Sequence, residues 1–328
     1  MDDLADIVIA GASNSKCGVV ASATQTASRC GAAIVDPLRG GMVREAAVPV
    51  LVYPTLDGRL SPRLLWWALC NAKSGRHGYR GHVLQLHEFR RLRRLHRLFV
   101  VVLILAWGRR VIVSTAGDAE ALRRWLNTCS FGARFCGKIA VIPPVNGSIG
   151  VGFGRATFDQ ARRRILGIFG AYRRDKRSPE LARLLERLSP HFDVLQVVGR
   201  GWEACAEISG ADLPVELLGH IPGDAIGPTI TQWAAAIAPT RTGASDGRMS
   251  IRTPLAHGVP TLVSKPDDPS ELTLEFPHLV VEQVEGLVAA STQDAPTRHR
   301  WSRVVEEFEV DLTERFRAFV DGISEVPR

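Results

Sequence analysis

At 328 residues the chain exceeds one ordinary core and suits two domains of about 150 residues each. A composition 45% hydrophobic and 23% charged excludes a disordered chain. The net charge of +7 implies an anionic partner, and charge alone leaves nucleic acid, a phospholipid surface and a nucleotide diphosphate open.

The N-terminus, MDDLADIVIA, lacks a basic n-region and a long apolar run, so no secretory signal is expected and the chain reads as cytoplasmic. Strands are predicted at Asp6–Ala10, Ala32–Val35, Pro49–Tyr53, His82–Leu86, Arg110–Ser114 and Lys138–Ile142. Between them fall helices at Gly18–Arg29, Ser61–Ala72, Glu88–Trp107 and Asp118–Asn127. Short apolar runs alternating with longer helical patterns are the mark of a parallel sheet wrapped by helices. The longest apolar run, Leu98–Trp107, is ten residues, whereas a membrane span needs about 18. Phe89, Leu92, Leu95 and Phe99 recur at nearly helical spacing among Arg90, Arg91, Arg93, Arg94 and Arg97. That pattern fits an interfacial helix making a peripheral contact with the inner membrane face through residues 89–99. The same pattern suits, and better, a helix packed on the sheet with an arginine face in water, because the adjoining run Leu98–Trp107 is apolar enough to be core.

The proline- and glycine-rich stretch Pro143–Thr157 interrupts the alternation. We therefore expect a first domain over 1–145, a linker over 146–160 and a second domain over 161–300, with helices in 301–328 packing back toward the first. The second half repeats the alternation, with strands at Ile165–Phe169, Val194–Val198, Val215–Leu218, Ala235–Pro239 and Thr261–Ser264. Its predicted helices are Pro179–Leu188, Asp224–Gln232, Ser250–His257 and Arg298–Ile323.

In an open parallel sheet, ligands bind beyond the carboxyl ends of strands, where loops and helix starts present backbone N–H groups to anions. Three segments occupy such positions. After Ile165–Phe169 come Gly170 and a loop with Tyr172, Arg173, Arg174, Lys176 and Arg177, a cationic cradle suited to a diphosphate. After Ala235–Pro239 comes a loop in which Gly243 and Gly247 allow close backbone approach, while Ser245, Asp246, Ser250 and Thr253 offer hydrogen bonds to phosphate or ribose. An ordinary capped helix start explains part of that second pattern. The third segment is His87–Glu88 at the end of His82–Leu86. His77, His82 and His87 are spaced by five, which suits neither a strand face nor a helical zinc site, and no Asp-x-Asp motif occurs, so no metal is expected. The six cysteines form no CxxC pair and read as reduced core thiols.

In this order the segments resemble the large retaining glycosyltransferase family of GT-B fold, the family 4-like group. The resemblance is carried by LHE at Leu86–Glu88, ILGIFGAYRRDKR, LQVVGRG, VELLGHIP, LAHGVPTLVS at Leu255–Ser264 and Trp301 in RHRWSRVVEEF. It implies two Rossmann-like doubly wound domains facing a cleft, with a nucleotide-sugar donor on the second and an acceptor of unknown identity on the first. By the same resemblance His87 and Glu88 are catalytic, His87 contacting the donor sugar or its phosphate, and Lys176 or Arg177 contacts the diphosphate. The residues from Ser245 to Thr253 then line nucleotide and sugar. The reaction implied is metal-independent and retaining, with no permanently bound cofactor and no nucleic-acid partner.

The sequence departs from that family where two glutamates usually stand eight positions apart, because Ser245 and Thr253 occupy those places. Ala171 likewise replaces the arginine that often follows the glycine of the basic loop. The family's carboxylate contacts to the donor do not carry over. A catalytically silent partner subunit of the same fold, or a sugar-nucleotide epimerase or hydrolase, are the alternative readings.

Overall fold

The computed structural model describes residues 8–10, 26–27, 33–35, 50–52, 55–56, 59–60, 82–86, 89–107, 110–129, 132–143, 163–172, 180–240, 244, 248–264, 280–281 and 283–321. The chain divides into two compact units, Met1–Asn146 with Glu309–Arg328, and Gly147–Phe308. Each is built on a six-stranded sheet whose assigned pairings are all parallel.

In the first unit the strands of this sheet are β1 (Val8–Ala10), β2 (Ala33–Val35), β3 (Val50–Val52), β4 (His82–Leu86), β5 (Arg110–Val113) and β6 (Ile139–Val141). Their order across the sheet is β2-β1-β3-β4-β5-β6. Helix α1 (Arg94–Trp107) and helix α2 (Ala116–Asn127) cover one face. Leu84 and Leu86 of β4 and Val111 and Val113 of β5 meet Val100, Val101 and Ile104 of α1 and Ala119, Leu122 and Leu126 of α2 there. Thr115 starts α2 by accepting the Asp118 N–H at 3.2 Å. Part of the predicted helices Gly18–Arg29 and all of Ser61–Ala72 lie outside the described residues.

The single helix expected over Glu88–Trp107 is instead a 3-10 turn at Phe89–Arg91 followed by α1. The reason is a competing acceptor. The Arg90 N–H donates to Asp118 Oδ1 at 2.8 Å, and the Leu92 N–H returns to Phe89 O at 3.1 Å, so no α-turn runs through Leu92–Arg93. This also splits the expected apolar stripe. Phe89 and Leu92 are buried in the core, while Leu95 and Phe99 are exposed.

The second unit holds β7 (Ile165–Phe169), β8 (Val194–Val198), β9 (Val215–Gly219), β10 (Trp233–Ala238), β11 (Thr261–Val263) and β12 (Val280–Val281). Their order is β9-β8-β7-β10-β11-β12, the 3-2-1-4-5-6 arrangement of a dinucleotide-binding Rossmann sheet. The helices of eight or more residues are α3 (Glu180–Leu188), α4 (Gly223–Ile230), α5 (Met249–Ala256), α6 (Val284–Ser291) and the start of α7 (Ala295–Asp321). Side chains alternate between two buried faces, as a strand period of two requires. Leu166, Ile168, Leu195, Val197, Ala235 and Ile237 share one core, and Ile165, Phe169, Val194, Val198, Trp233 and Ala236 share the other.

Two long-range devices fix the inner strands. The Trp233 indole N–H donates to Gln196 Oε1 at 2.7 Å across the sheet. Arg298 of α7, which burial pushes down to about 10, donates to Gly258 O at 3.0 Å and Trp233 O at 2.6 Å. Further along α7, in the first unit, the Arg110 guanidinium donates to Phe319 O at 2.6 Å and lies over the Phe319 ring.

Candidate functional site

In the second unit the strand order reverses between β7 and β10, and the carboxyl ends of strands at such a switch point are where open α/β sheets commonly bind ligands, which makes this end of the sheet the candidate site. β7 runs directly into Gly170, whose φ of +100° is a conformation open to glycine and strained for other residues. Gly199, after β8, has φ +140°, and a Cβ added there would lie 2.3 Å from Gly170 O. The two strand-end turns therefore nest backbone to backbone. Gly170 N donates to Val198 O and Tyr172 N to Arg200 O, both at 2.8 Å, and the buried Trp202 indole donates to Gly170 O at 2.7 Å.

Tyr172 packs its ring on Trp202, with centroids 5.0 Å apart. Below them, burial pushes the Cys205 thiol up, with a hydrogen bond to Glu207 adding to the shift. Gly170 and Tyr172 thus belong to a rigid platform from which the basic loop departs. Arg173, Arg174, Lys176 and Arg177 lie outside the described residues, and the chain resumes at Glu180 in α3.

At the other lip of the crevice β10 ends at Ala238 and continues through Pro239 to Thr240. Thr240 is 2% exposed, and among the described residues its hydroxyl has no hydrogen-bond partner. A buried hydroxyl that makes no hydrogen bond is uncommon, because leaving it unpaired costs about 1–3 kcal/mol. Ala244 is buried and ties the following loop to Ser264 O at 3.0 Å, while Gly243, Ser245, Asp246 and Gly247 lie outside the described residues.

The loop delivers the chain to α5, which packs against β7, β10 and β11. Its N-cap residue, Arg248, makes no side-chain cap, so Ser250 sits inside the first turn rather than at the cap. Ser250 and Thr253 are buried one turn apart, and Arg252 between them is fully buried with its guanidinium over the Phe308 ring. The helix stops at Gly258, φ +67°, with Gly258 N on Leu255 O and Val259 N on Pro254 O.

A helix start that its own N-cap side chain leaves free, together with a buried hydroxyl at the switch point, can bind an anion through N–H and O–H donors. Sequence reasoning passed over Thr240, although its place one residue beyond a predicted strand end was a usable signal. In the first unit, His87 and Glu88 lie outside the described residues between β4 and Phe89. The turn that follows them is pinned by buried Asp118, whose carboxylate also lies 3.9 Å from the Arg90 guanidinium. Among the described residues no cluster of His, Cys, Asp or Glu could hold a metal ion.

No family model matches the chain, and no curated protein matches it. Solved structures do. An O-GlcNAc transferase from Thermobaculum terrenum aligns over 97% of this chain and 68% of its own, at 13% identity and a TM-score of 0.54. An α-glucosyltransferase in complex with UDP aligns over 92% and 94%, at 10% identity and a TM-score of 0.59. A mutant of T4 phage BGT in complex with UDP-glucose aligns over 96% and 99%, at 12% identity and a TM-score of 0.59. The same phage protein with UDP and Mn2+ aligns over 96% and 99%, at 11% identity and a TM-score of 0.55. The chain therefore has the GT-B fold, two Rossmann-like domains with parallel sheets.

Proposed function

We propose that the protein is a glycosyltransferase that moves a sugar from a nucleoside-diphosphate sugar to an acceptor hydroxyl. The observation that carries this reading is the buried Thr240 hydroxyl, without a hydrogen-bond partner among the described residues, just beyond the end of β10 at the β7/β10 switch point. The similarity to structures solved with UDP or UDP-glucose supports it.

Breaking the bond between the anomeric carbon and the diphosphate oxygen leaves negative charge on the departing diphosphate. Fixed donors aimed at that charge lower the barrier without reorganising during the reaction. We assign this role to the first-turn N–H groups of α5, to Thr240 and Ser250, and to Arg173, Arg174, Lys176 and Arg177 of the basic loop. Gly243, Ser245, Asp246, Gly247 and Thr253 are assigned to nucleotide and sugar. His87 and Glu88 are the proposed catalytic pair, acting on the reacting sugar as charge develops. The cations make the reaction metal-independent in this proposal, and the resemblance to the family 4-like group supports a retaining outcome. Peripheral contact with the inner face of a membrane is a separate proposal.

Ser245 and Thr253, standing where that group carries glutamates, favour a second reading, a catalytically silent subunit that still binds a donor. Incubation with a panel of nucleotide-sugars, with and without acceptors and with and without EDTA, separates the outcomes. Acceptor-dependent release of nucleoside diphosphate that survives EDTA supports the proposal. Acceptor-independent release identifies a hydrolase, a new sugar-nucleotide without release identifies an epimerase, and binding without turnover identifies the silent subunit.

A further inference from the structure

Helix α1 presents two opposite faces. Val100, Val101 and Ile104 are buried against the first sheet. Leu95, Leu98, Phe99 and Val102 are 78%, 48%, 44% and 51% exposed. At about 100° per residue these four fall within an arc of roughly 100°, directly opposite the buried three, and extend ~10 Å along the helix. Scattered exposed apolar residues need no explanation, but four in one continuous ridge do.

In sequence, the charges flanking the ridge are of one sign. No acidic residue occurs between Glu88 and Asp118, whereas Arg90, Arg91, Arg93, Arg94, Arg97, Arg109 and Arg110 do. Arg93 and Arg94, at the start of α1, are exposed. An apolar ridge with a cationic margin matches an anionic bilayer, whose acyl boundary takes Leu and Phe while its headgroups pair with arginine. Nucleic acid would leave the apolar ridge unused.

We propose that the exposed ridge Leu95–Leu98–Phe99–Val102, with Arg94 at its margin and Arg93 at the start of the helix, docks the first unit on an anionic lipid surface. The test is co-sedimentation of the full chain with phosphatidylglycerol/phosphatidylcholine vesicles and with pure phosphatidylcholine vesicles, at low and moderate salt. Wild-type protein pellets with the anionic vesicles, less so as salt rises. Arg93→Gln with Arg94→Gln weakens partitioning about fivefold per residue and ~30-fold together. Leu95→Ser with Phe99→Ser weakens it by more than about tenfold. Both variants keep the wild-type circular dichroism; the arginine variant also keeps the urea midpoint, while Phe99→Ser, which removes a side chain more than half buried, lowers it without unfolding the helix. Failure of the wild type to pellet, equal binding to neutral vesicles, or binding that survives Leu95→Ser with Phe99→Ser overturns the proposal. So does a lipid-free dimer that the serine variant dissolves, which would make a second copy the occupant. Vesicle binding is read without turnover, so this surface and the sugar-transfer reading fail separately.

Discussion

Thr240→Val separates a ligand-binding hydroxyl from a structural one. The side chain is 2% exposed and its hydroxyl has no partner among the described residues, so valine exchanges an unpaired polar atom for a methyl group of nearly the same shape. Removing that desolvation penalty should stabilise the unliganded protein by about 1 kcal/mol or more. For domains of this size the gain corresponds to a rise of ~2–4 °C in Tm. Donor binding should move the other way. A hydrogen bond from a hydroxyl to a charged phosphate oxygen contributes about 1.5–3 kcal/mol, so its loss weakens Kd roughly 10- to 150-fold. Scanning calorimetry of the free protein and isothermal titration with UDP and UDP-glucose read the two effects separately. A variant that is destabilised by about 1 kcal/mol and binds the donor as the wild type does would refute the reasoning and make the hydroxyl structural.

Lys176→Ala with Arg177→Ala should weaken donor binding at least tenfold by titration while leaving the urea midpoint unchanged, because charge-assisted bonds to phosphate are lost from a loop. His87→Ala should lower kcat more than donor affinity, since a group acting on developing charge contributes mainly in the transition state; unchanged kcat would make His87 structural. Gly167→Ala would put a Cβ 2.0 Å from the Trp233 ring, so it should destabilise the second unit by about 3 kcal/mol or more in urea denaturation, and a midpoint equal to wild type would contradict the packing described. Cys205, whose thiol burial holds protonated, should react with iodoacetamide at pH 8 far more slowly than the same thiol in urea, as followed by mass spectrometry of its peptide.

The inner strands were legible because burial on both faces writes them as short, mostly apolar runs. His82–Leu86, Ile165–Phe169 and Val194–Val198 were read with the bounds they have in the fold. β10 was read two residues late because no turn residue separates Trp233 from the preceding helix, and the partner that fixes Trp233 is Gln196, 37 residues away. The break before α1 was illegible for the same reason. Its cause is Asp118, 28 residues further along the chain, and periodicity within 89–107 carries no trace of it. Helix α6 was missed because Val284–Ser291 is short and contains Gly286. At the candidate site, the strand-end rule found the loops after β7 and β10 without any geometry. What it could not find was Thr240 as a buried hydroxyl lacking a partner, because burial and pairing are tertiary properties.

The most direct measurement is hydrogen–deuterium exchange of the full chain with and without a saturating nucleoside-diphosphate sugar. Binding at the β7/β10 switch point predicts protection in peptides spanning 170–179 and 239–253, weaker with the nucleoside alone than with the diphosphate. Protection confined to other peptides, or identical exchange with every donor in the panel, would contradict the donor site and the sugar-transfer reading built on it.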